Sequence, residues 1–368
     1  MKQLNNMGRR GINKLISLVA STRIAYRICD LMPRQRSGSG ENCISELNKV
    51  SPRPPRIARV ERSWGEPVVD LSVIVPVYNA EKWIEECIGS IESQETVYTY
   101  EIIAVNDGSP DRTPEILRAL AERDSRIHVI DQENKGFSGA RNAGIDHVRG
   151  RCLMFVDSDD VLLPGAIESL MSEFDKSGCD FVTANYREIV DGKLQPVKGR
   201  RDHGAPWGRV YDREVWTKLS FPEGLWFEDT VQAMCIDPYF SEEYLEVPVY
   251  GYRINSAGIT ATSSRFKKSV DTFWVVEELL AWDAQDGRPL DERLRQTVLW
   301  QLGPIAVWRT MALNGKEMRT FFQACSYVYR KYFPKETPNG ISGGRELIAR
   351  ALREGNYGLW RLACAREK

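Results

Sequence analysis

The sequence predicts an α/β protein, a mostly parallel central sheet followed by a helical C-terminal region. Three observations carry this. Between Leu71 and Asn185, short apolar runs alternate with stretches of helical period. The runs are nearly continuous rather than alternating, as strands buried on both faces require. Beyond about Arg265 the strand-like runs stop and helical periodicity takes over.

Taken in order, residues 1–36 carry eight Lys or Arg (Lys2, Arg9, Arg10, Lys14, Arg23, Arg27, Arg34, Arg36) against Asp30 alone, a net +7. Within them Ile12, Leu15, Ile16, Val19, Ile24, Ile28 and Leu31 recur at helical spacing. Such a helix can lie on an anionic membrane or dock on the protein's own body, and the pattern leaves both open. Residues 37–69, rich in Ser, Gly, Pro and Arg, read as a linker that need not be ordered. Strands are expected at Leu71–Val77, Glu101–Val105, Arg126–Ile130, Cys152–Val156 and Phe181–Asn185. Helices are expected at Ala80–Ser93, Thr113–Arg123 (with Asp111 as cap), Gly139–Val148 and Leu163–Lys176. That alternation builds a parallel sheet covered on both faces. The tail offers helical segments at 266–284, 289–312, 317–331 and 343–364, with Pro304 marking a kink or break. Trp274, Trp282, Trp300, Trp308 and Trp360 in this tail read as core. The expected organisation is therefore 1–36 basic segment, 37–69 linker, 70–262 α/β domain and 263–368 helical region.

A net charge of -1 on 368 residues excludes no partner, and no nucleic-acid partner is expected. Eight scattered cysteines without a C-x-x-C, and the isolated histidines His128, His147 and His203, argue against a zinc site. Scattered single cysteines fit a reducing compartment. No run of about 18 apolar residues exists to span a membrane, and the start lacks a signal peptide's apolar stretch and cleavage site.

Ligands of open parallel sheets bind at the carboxyl ends of the strands. There the sequence sets Pro76-Val77-Tyr78-Asn79, then Asn106-Asp107-Gly108-Ser109, then Asn134-Lys135-Gly136 leading to Arg141-Asn142, then Asp157-Ser158-Asp159-Asp160. None of these turns has the G-x-G-x-x-G or G-x-x-x-x-G-K-[ST] form, which argues against dinucleotide and P-loop sites. The segments SVIVPVYN (72–79), NDGSPDRT (106–113), NKGFSGARNAG (134–144), DSDD (157–160), FPEGLWFEDT (221–230) and YGYRINSAGIT (250–260) together resemble the family-two glycosyltransferases with the GT-A nucleotide-sugar-binding fold. Within that family the order F-P-x-G, E-D, Y-x-Y-R-x-N is similar to enzymes of bacterial capsule and exopolysaccharide assembly.

The resemblance implies a nucleotide-sugar donor, a divalent cation (Mg²⁺ or Mn²⁺) and inversion at the transferred sugar. Asp107 would accept an N–H from the base. Uracil and guanine offer one and cytosine has no N3–H, so UDP or GDP donors fit and the family leans to UDP. The alternative for Asp107 is an ordinary Asx-turn. Pro76 and Tyr78 would line the base and ribose pocket. Asp157 and Asp159 form the D-x-D element, two carboxylates on an extended strand end facing one way. Asp159 would hold the metal directly, while Asp157 would meet the ribose or the metal's waters. Asp160 is read as a helix cap or a further member. Lys135 and Arg141 would stabilise the diphosphate or orient the aspartates, with a surface salt bridge as the alternative. Arg253 would reach the diphosphate from the other side. Of the E-D pair, Asp229 would be the base that takes the acceptor proton, and Glu228 would orient the acceptor; the alternative is an acidic helix start. Trp207 and Trp226 are read as core or as sugar platforms.

Two other classes compete: a catalytically silent nucleotide-sugar binder, which would not keep these acids, and a sugar-nucleotide pyrophosphorylase, whose Gly-rich basic signature is missing. The expected acceptor is a lipid-linked or cell-surface glycan. The expected place of work is the cytoplasm, peripheral on the inner face of the plasma membrane.

Overall fold

In the computed structural model, residues 40–56, 60–198, 204–256, 258–334 and 344–367 are described. The basic 1–36 segment therefore lies outside the described residues. The chain divides into two compact units, one of Pro54–Ser256 and one of Met1–Arg53 with Ala257–Lys368.

The first unit is built on one sheet, of nine strands among the described residues. Strands β1 (Val69–Val77), β2 (Tyr100–Asn106), β3 (Ile127–Asp131) and β4 (Gly150–Phe155) are the expected first four. Every residue of β2 and the last seven of β1 are buried. That burial on both faces explains why their sequences run apolar without alternation. Helices α2 (Ile84–Glu92), α3 (Thr113–Arg123), α4 (Gly136–Asp146) and α5 (Ala166–Ser177) separate them and their successors. Asp111 sits one residue before the N-cap of α3, which is Arg112, and still accepts a hydrogen bond from the Thr113 amide.

The strands β5 (Val161–Leu162), β6 (Phe181–Val190), β7 (Lys193–Lys198), β8 (Arg209–Asp212) and β9 (Glu242–Arg253) complete the sheet. The order is β3-β2-β1-β4-β8-β6-β9-β5, with β7 pairing β6. The pairs β1/β2, β2/β3, β1/β4 and β6/β9 are parallel, while β8 runs antiparallel between β4 and β6. The chain winds outward from β1 through β2 to β3, then returns to place β4 on the other side of β1. The crevice for a ligand therefore opens at the carboxyl ends of β1 and β4.

The second unit is helical. Helix α1 (Gly40–Val50) lies inside the stretch read as a linker, and its Leu47 is fully buried. It packs against α8 (Gly315–Tyr332), where the Cys43 thiol reaches Gln323. Among the described residues its other long helices are α6 (Asp271–Gln285), α7 (Glu292–Trp300), α9 (Gly344–Glu354) and α10 (Tyr357–Arg366), with short ones at Ile259–Thr262 and Ala306–Arg309. Pro304 breaks the expected 289–312 segment: a π turn follows α7, and Gly303 leaves helical geometry with φ -111° and ψ -111°. Trp274, Trp282 and Trp360 are core, whereas Trp308 is 46% exposed.

Candidate active site

At the end of β2 the chain turns on Asn106, not Asp107. The Asn106 side-chain oxygen Oδ1 accepts from the Ser109 amide at 3.1 Å, so the side-chain-held turn is Asn106's. Asp107 is left for other work. It is buried, and its Oδ1 accepts from the Gln132 side-chain amide at 2.7 Å and the Lys135 backbone amide at 2.8 Å. Its Oδ2 is buried with no hydrogen-bond partner. An unmet carboxylate oxygen in that setting costs free energy until a donor arrives. Gly108 makes the packing possible. Its φ is +69°, and a Cβ there would lie 3.2 Å from the Asn134 amide nitrogen.

Beside it, Pro76 is buried in β1 and Tyr78 stands 52% exposed just past the strand end. Asn79 follows with φ +53°, its amide bonded to the Ser109 hydroxyl at 3.1 Å. The two strand ends are thus tied to each other. The Lys135 side chain is exposed. Its backbone amide, rather than its charge, contacts Asp107.

Past β4 the acidic segment is a turn, not an extended strand end: the Asp160 amide donates to the Asp157 carbonyl at 3.0 Å. Strand alternation therefore does not aim Asp157 and Asp159. Asp160 turns inward and is no helix cap; it accepts from the Tyr250 hydroxyl at 2.8 Å and the Arg253 amide at 2.6 Å. Tyr250 also accepts from the Asp157 amide at 3.0 Å, so one buried tyrosine on β9 fixes both ends of the turn. Burial raises Asp160 well above the usual carboxylate range, helped by Asp157 and Asp159. Asp159 is pushed up to about 6 by burial first and by Asp157's charge second, against the pull of Arg253. The Arg253 guanidinium donates to the Asp159 carbonyl at 2.7 Å and pairs with Glu86 at 2.8 Å. It lies 4.1 Å over the Trp83 ring. Clustered acids are a place where cationic charge is favoured.

Arg141 sits in the middle of α4 rather than at its start, and it is buried. The guanidinium donates to Asp157 Oδ1 at 2.7 Å and, with another nitrogen, to Glu228 Oε1. The expected alternative of a surface salt bridge does not describe it. Both partners hold Arg141 in its charged form despite burial. Glu228 is pushed up to about 7 by burial above all, with Arg141 pulling down and Asp229 pushing further up. Arg141 thereby joins the acidic turn to the E-D pair, two elements 71 residues apart in sequence (157 to 228).

Asp229 is half-buried and begins a helical turn region, with Phe227 just before the pair at φ +67°. A left-handed aromatic residue stores strain, a feature that clusters at functional sites. Gly204 lets another segment pass: a Cβ there would lie 2.6 Å from the Asp229 carbonyl oxygen. Trp207 is buried, stacked on Tyr250 at 4.6 Å and Tyr252 at 5.2 Å. It is core, not a sugar platform. Trp226 is half-buried beside Phe227.

Asp157, Asp159, Asp160, Arg141, Glu228 and Arg253 thus form one bonded cluster, while Asp107, Pro76, Tyr78 and Lys135 form a second group on the same sheet edge. Tyr250, Trp83 and Glu86 belong to the first group too; Tyr250 opens the Y-x-Y-R-x-N element, whereas Trp83 and Glu86 carry no sequence signal, since each acts through a partner far along the chain. Among the described residues no three His, Cys, Asp or Glu side chains gather to hold an ion by themselves.

Residues 72–236 match the family model "Glycosyl transferase family 2". EpsH of Bacillus subtilis (strain 168), a protein named as a glycosyltransferase, is 28% identical over 318 residues, covering 71% of this chain and 91% of that protein. Glycosyltransferase GlyA of Streptococcus pneumoniae serotype 4 is 30% identical over 257 residues, covering 61% of this chain but only 36% of GlyA. Among solved structures, S. aureus TarS 1–349 in complex with UDP-GlcNAc superposes with a TM-score of 0.63 at 20% identity, covering 78% of this chain and 89% of TarS 1–349. At that identity the likeness concerns the fold alone. Residues 72–236 are therefore a glycosyl transferase family 2 domain of the GT-A fold.

Proposed function

We propose that this chain is a glycosyltransferase that moves a sugar from a UDP-sugar to a hydroxyl of a lipid-linked or cell-surface glycan, with inversion at the anomeric carbon. The observation that carries the reading is the buried, unpartnered Oδ2 of Asp107 on the same strand-end edge as the acidic turn. It is an acceptor waiting for a donor, and the N3–H of uracil supplies one. Guanine supplies one too, so GDP-sugars are the competing donors. Tyr78, exposed at the mouth, offers a ring for the base or ribose.

Asp157 and Asp159 present oxygen ligands of the kind Mg²⁺ and Mn²⁺ take, with diphosphate oxygens completing the set. When bound, such an ion offsets the charge of the departing diphosphate. Arg141 keeps Asp157 oriented, and Arg253 fixes the backbone at Asp159. On the acceptor side, Asp229 takes the proton from the acceptor hydroxyl. The acceptor oxygen forms a bond to the anomeric carbon as the bond from that carbon to the diphosphate oxygen breaks, and UDP leaves with the electron pair. A single displacement with a single base inverts the centre. Glu228, held by Arg141, orients the acceptor or its neighbour Asp229. No helix among the described residues is long and apolar enough to cross a membrane, and the cationic 1–36 segment is the candidate for contact with an anionic inner leaflet.

The test is a thermal-shift panel of nucleotide-sugars with and without Mn²⁺, since a ligand that binds the folded state raises its apparent stability. UDP-GlcNAc, the ligand held by TarS, is the first donor to try. UDP-sugars with Mn²⁺ should raise the melting temperature, and Asp107→Ala should abolish the rise. A panel in which no nucleotide-sugar stabilises the protein would overturn the reading.

A further inference from the structure

Between the short 3-10 turn Arg213–Trp216 and the helical turn at Thr230, residues 217–229 adopt neither helix nor strand. This irregular loop carries Glu228 and Asp229 and contains two left-handed residues, Gly224 and Phe227. Such a segment has many conformations unless it is tied down. The ties run to α4, at three levels. Arg141 grips Glu228. The next residue, Asn142, holds the Phe221 backbone from both sides: its side-chain amide donates to the Phe221 carbonyl at 2.9 Å, and its side-chain carbonyl oxygen accepts from the Phe221 amide at 2.8 Å. At the end of α4, Asp146 pairs with Arg62 at 2.5 Å.

Arg62 comes from the stretch that reads as linker, outside the family-matched residues 72–236. Its side chain is only 6% exposed. The guanidinium donates to the Trp216 carbonyl at 3.0 Å, to the Leu219 carbonyl, and to the Ser220 hydroxyl at 3.1 Å. Its own amide donates to the Thr217 carbonyl at 2.8 Å. Two residues on, the Trp64 indole donates to the Ile145 carbonyl of α4 at 3.0 Å, which seats the whole segment. A planar fork of five donors suits two carbonyls, a hydroxyl and a carboxylate at once, as a lysine cannot.

We propose that Arg62 is a positioning residue for the acceptor-side loop: it locks residues 216–220 to the end of α4, so that Glu228 and Asp229 at the far end of the loop are held against Arg141. The assignment of a catalytic task to that loop rests on the function proposed above; the clamp itself does not.

The experiment uses the full chain with Arg62→Ala, Arg62→Lys and Asp146→Asn, and it has two readouts. The first is hydrogen exchange of the backbone amides of 217–231, with 157–163 as the internal control. The second is the split between donor KM and kcat for transfer. R62A should speed exchange in 217–231 by about tenfold or more while leaving 157–163 unchanged. Transfer kcat should fall by about tenfold to a hundredfold, as misplaced catalytic groups do, with donor KM within about twofold. R62K should fall between, and D146N should move the same way by less. If R62A does not fold, D146N carries the test, because the Asp146 side chain is 52% exposed and substitutions at such positions cost little stability. Unchanged exchange in 217–231, or donor KM and kcat failing together in step with a lowered melting temperature, would overturn the proposal. Faster loop exchange in a protein whose wild type transfers no sugar would uphold the clamp and overturn the glycosyl-transfer reading of the loop.

Discussion

Asp159 is where the proposed chemistry and the stability of the protein oppose each other. Its ionised form is disfavoured by burial and by Asp157, so its pKa in the folded protein, about 6, stands above the ordinary 3.8. A group raised on folding contributes its full stability below the unfolded value and loses it as pH rises through the folded value. Asp159→Asn, which cannot ionise, should therefore match the wild type near pH 4 and be more stable at pH 8, by at most about 3 kcal/mol for a shift of about two units. Because a metal ligand must be deprotonated, Mn²⁺ affinity of the wild type should climb as pH rises through about 6, and the variant should show none. Urea melts at both pH values check this; a variant no more stable than the wild type at pH 8 would contradict the crowding of charge. A second residue-scale expectation concerns Tyr250, which joins Asp160 to the Asp157 amide. Tyr250→Phe should cost about 1–3 kcal/mol by leaving Asp160 short of a buried partner and should weaken metal-dependent donor binding, read by the same melts and a Mn²⁺ titration. The residues that announce chemistry through their type, Asp107, Asp157, Asp159 and the Glu228-Asp229 pair, are legible in the sequence. The inward role of Asp160 is not, because its partner Tyr250 lies 90 residues away, and neither is that of Arg62, one arginine in a polar stretch whose four side-chain contacts lie on elements formed far later in the chain.

Helix α4 is the element on which the site is built. It lies against β1, and Gly144 is the contact: a Cβ there would stand 2.4 Å from Ile74 Cγ2. Gly144→Ala should gain about 1 kcal/mol of helix propensity and lose more to overpacking against a stiff β-branched side chain, for a net loss of about 1–2 kcal/mol. Since Arg141, Asn142 and Asp146 ride on the same helix, acceptor transfer should fall more than thermal stability suggests. A melt and a transfer assay check both halves, and a stabilised, fully active variant would remove α4 as the rigid support. The first strands were readable because burial on both faces makes them uniformly apolar. Strand β9 was not read, because Glu242–Arg253 mixes acids with aromatics and is buried only over Val249–Gly251. The composition of 37–69 signals loop, yet α1 forms there by burying little more than Cys43 and Leu47, too few apolar positions to stand out in a pattern.

On the scale of the whole chain, the alternation of strands and helices fixes the sheet and its strand-end edge, which is why the fold could be anticipated. The basic 1–36 segment adds a further expectation, attachment to an anionic membrane, at about 1 kcal/mol per basic residue near the surface. The tail from Arg345, with six Lys or Arg against three Glu, is a second source of charge. Flotation with anionic liposomes should recover the full chain, and a chain starting at Gly40, which keeps α1, should stay behind; equal behaviour of the two at low salt would assign the binding elsewhere or remove it. The central claim is that Asp229 is the one base of an inverting transfer. It is tested most directly by NMR of the product's anomeric configuration, read for the wild type beside Asp229→Asn. The account predicts an inverted anomer from the wild type, and from the variant unchanged UDP-sugar affinity with transfer reduced about 10²-fold or more. A retained anomer, or a variant that transfers at the wild-type rate, would contradict it.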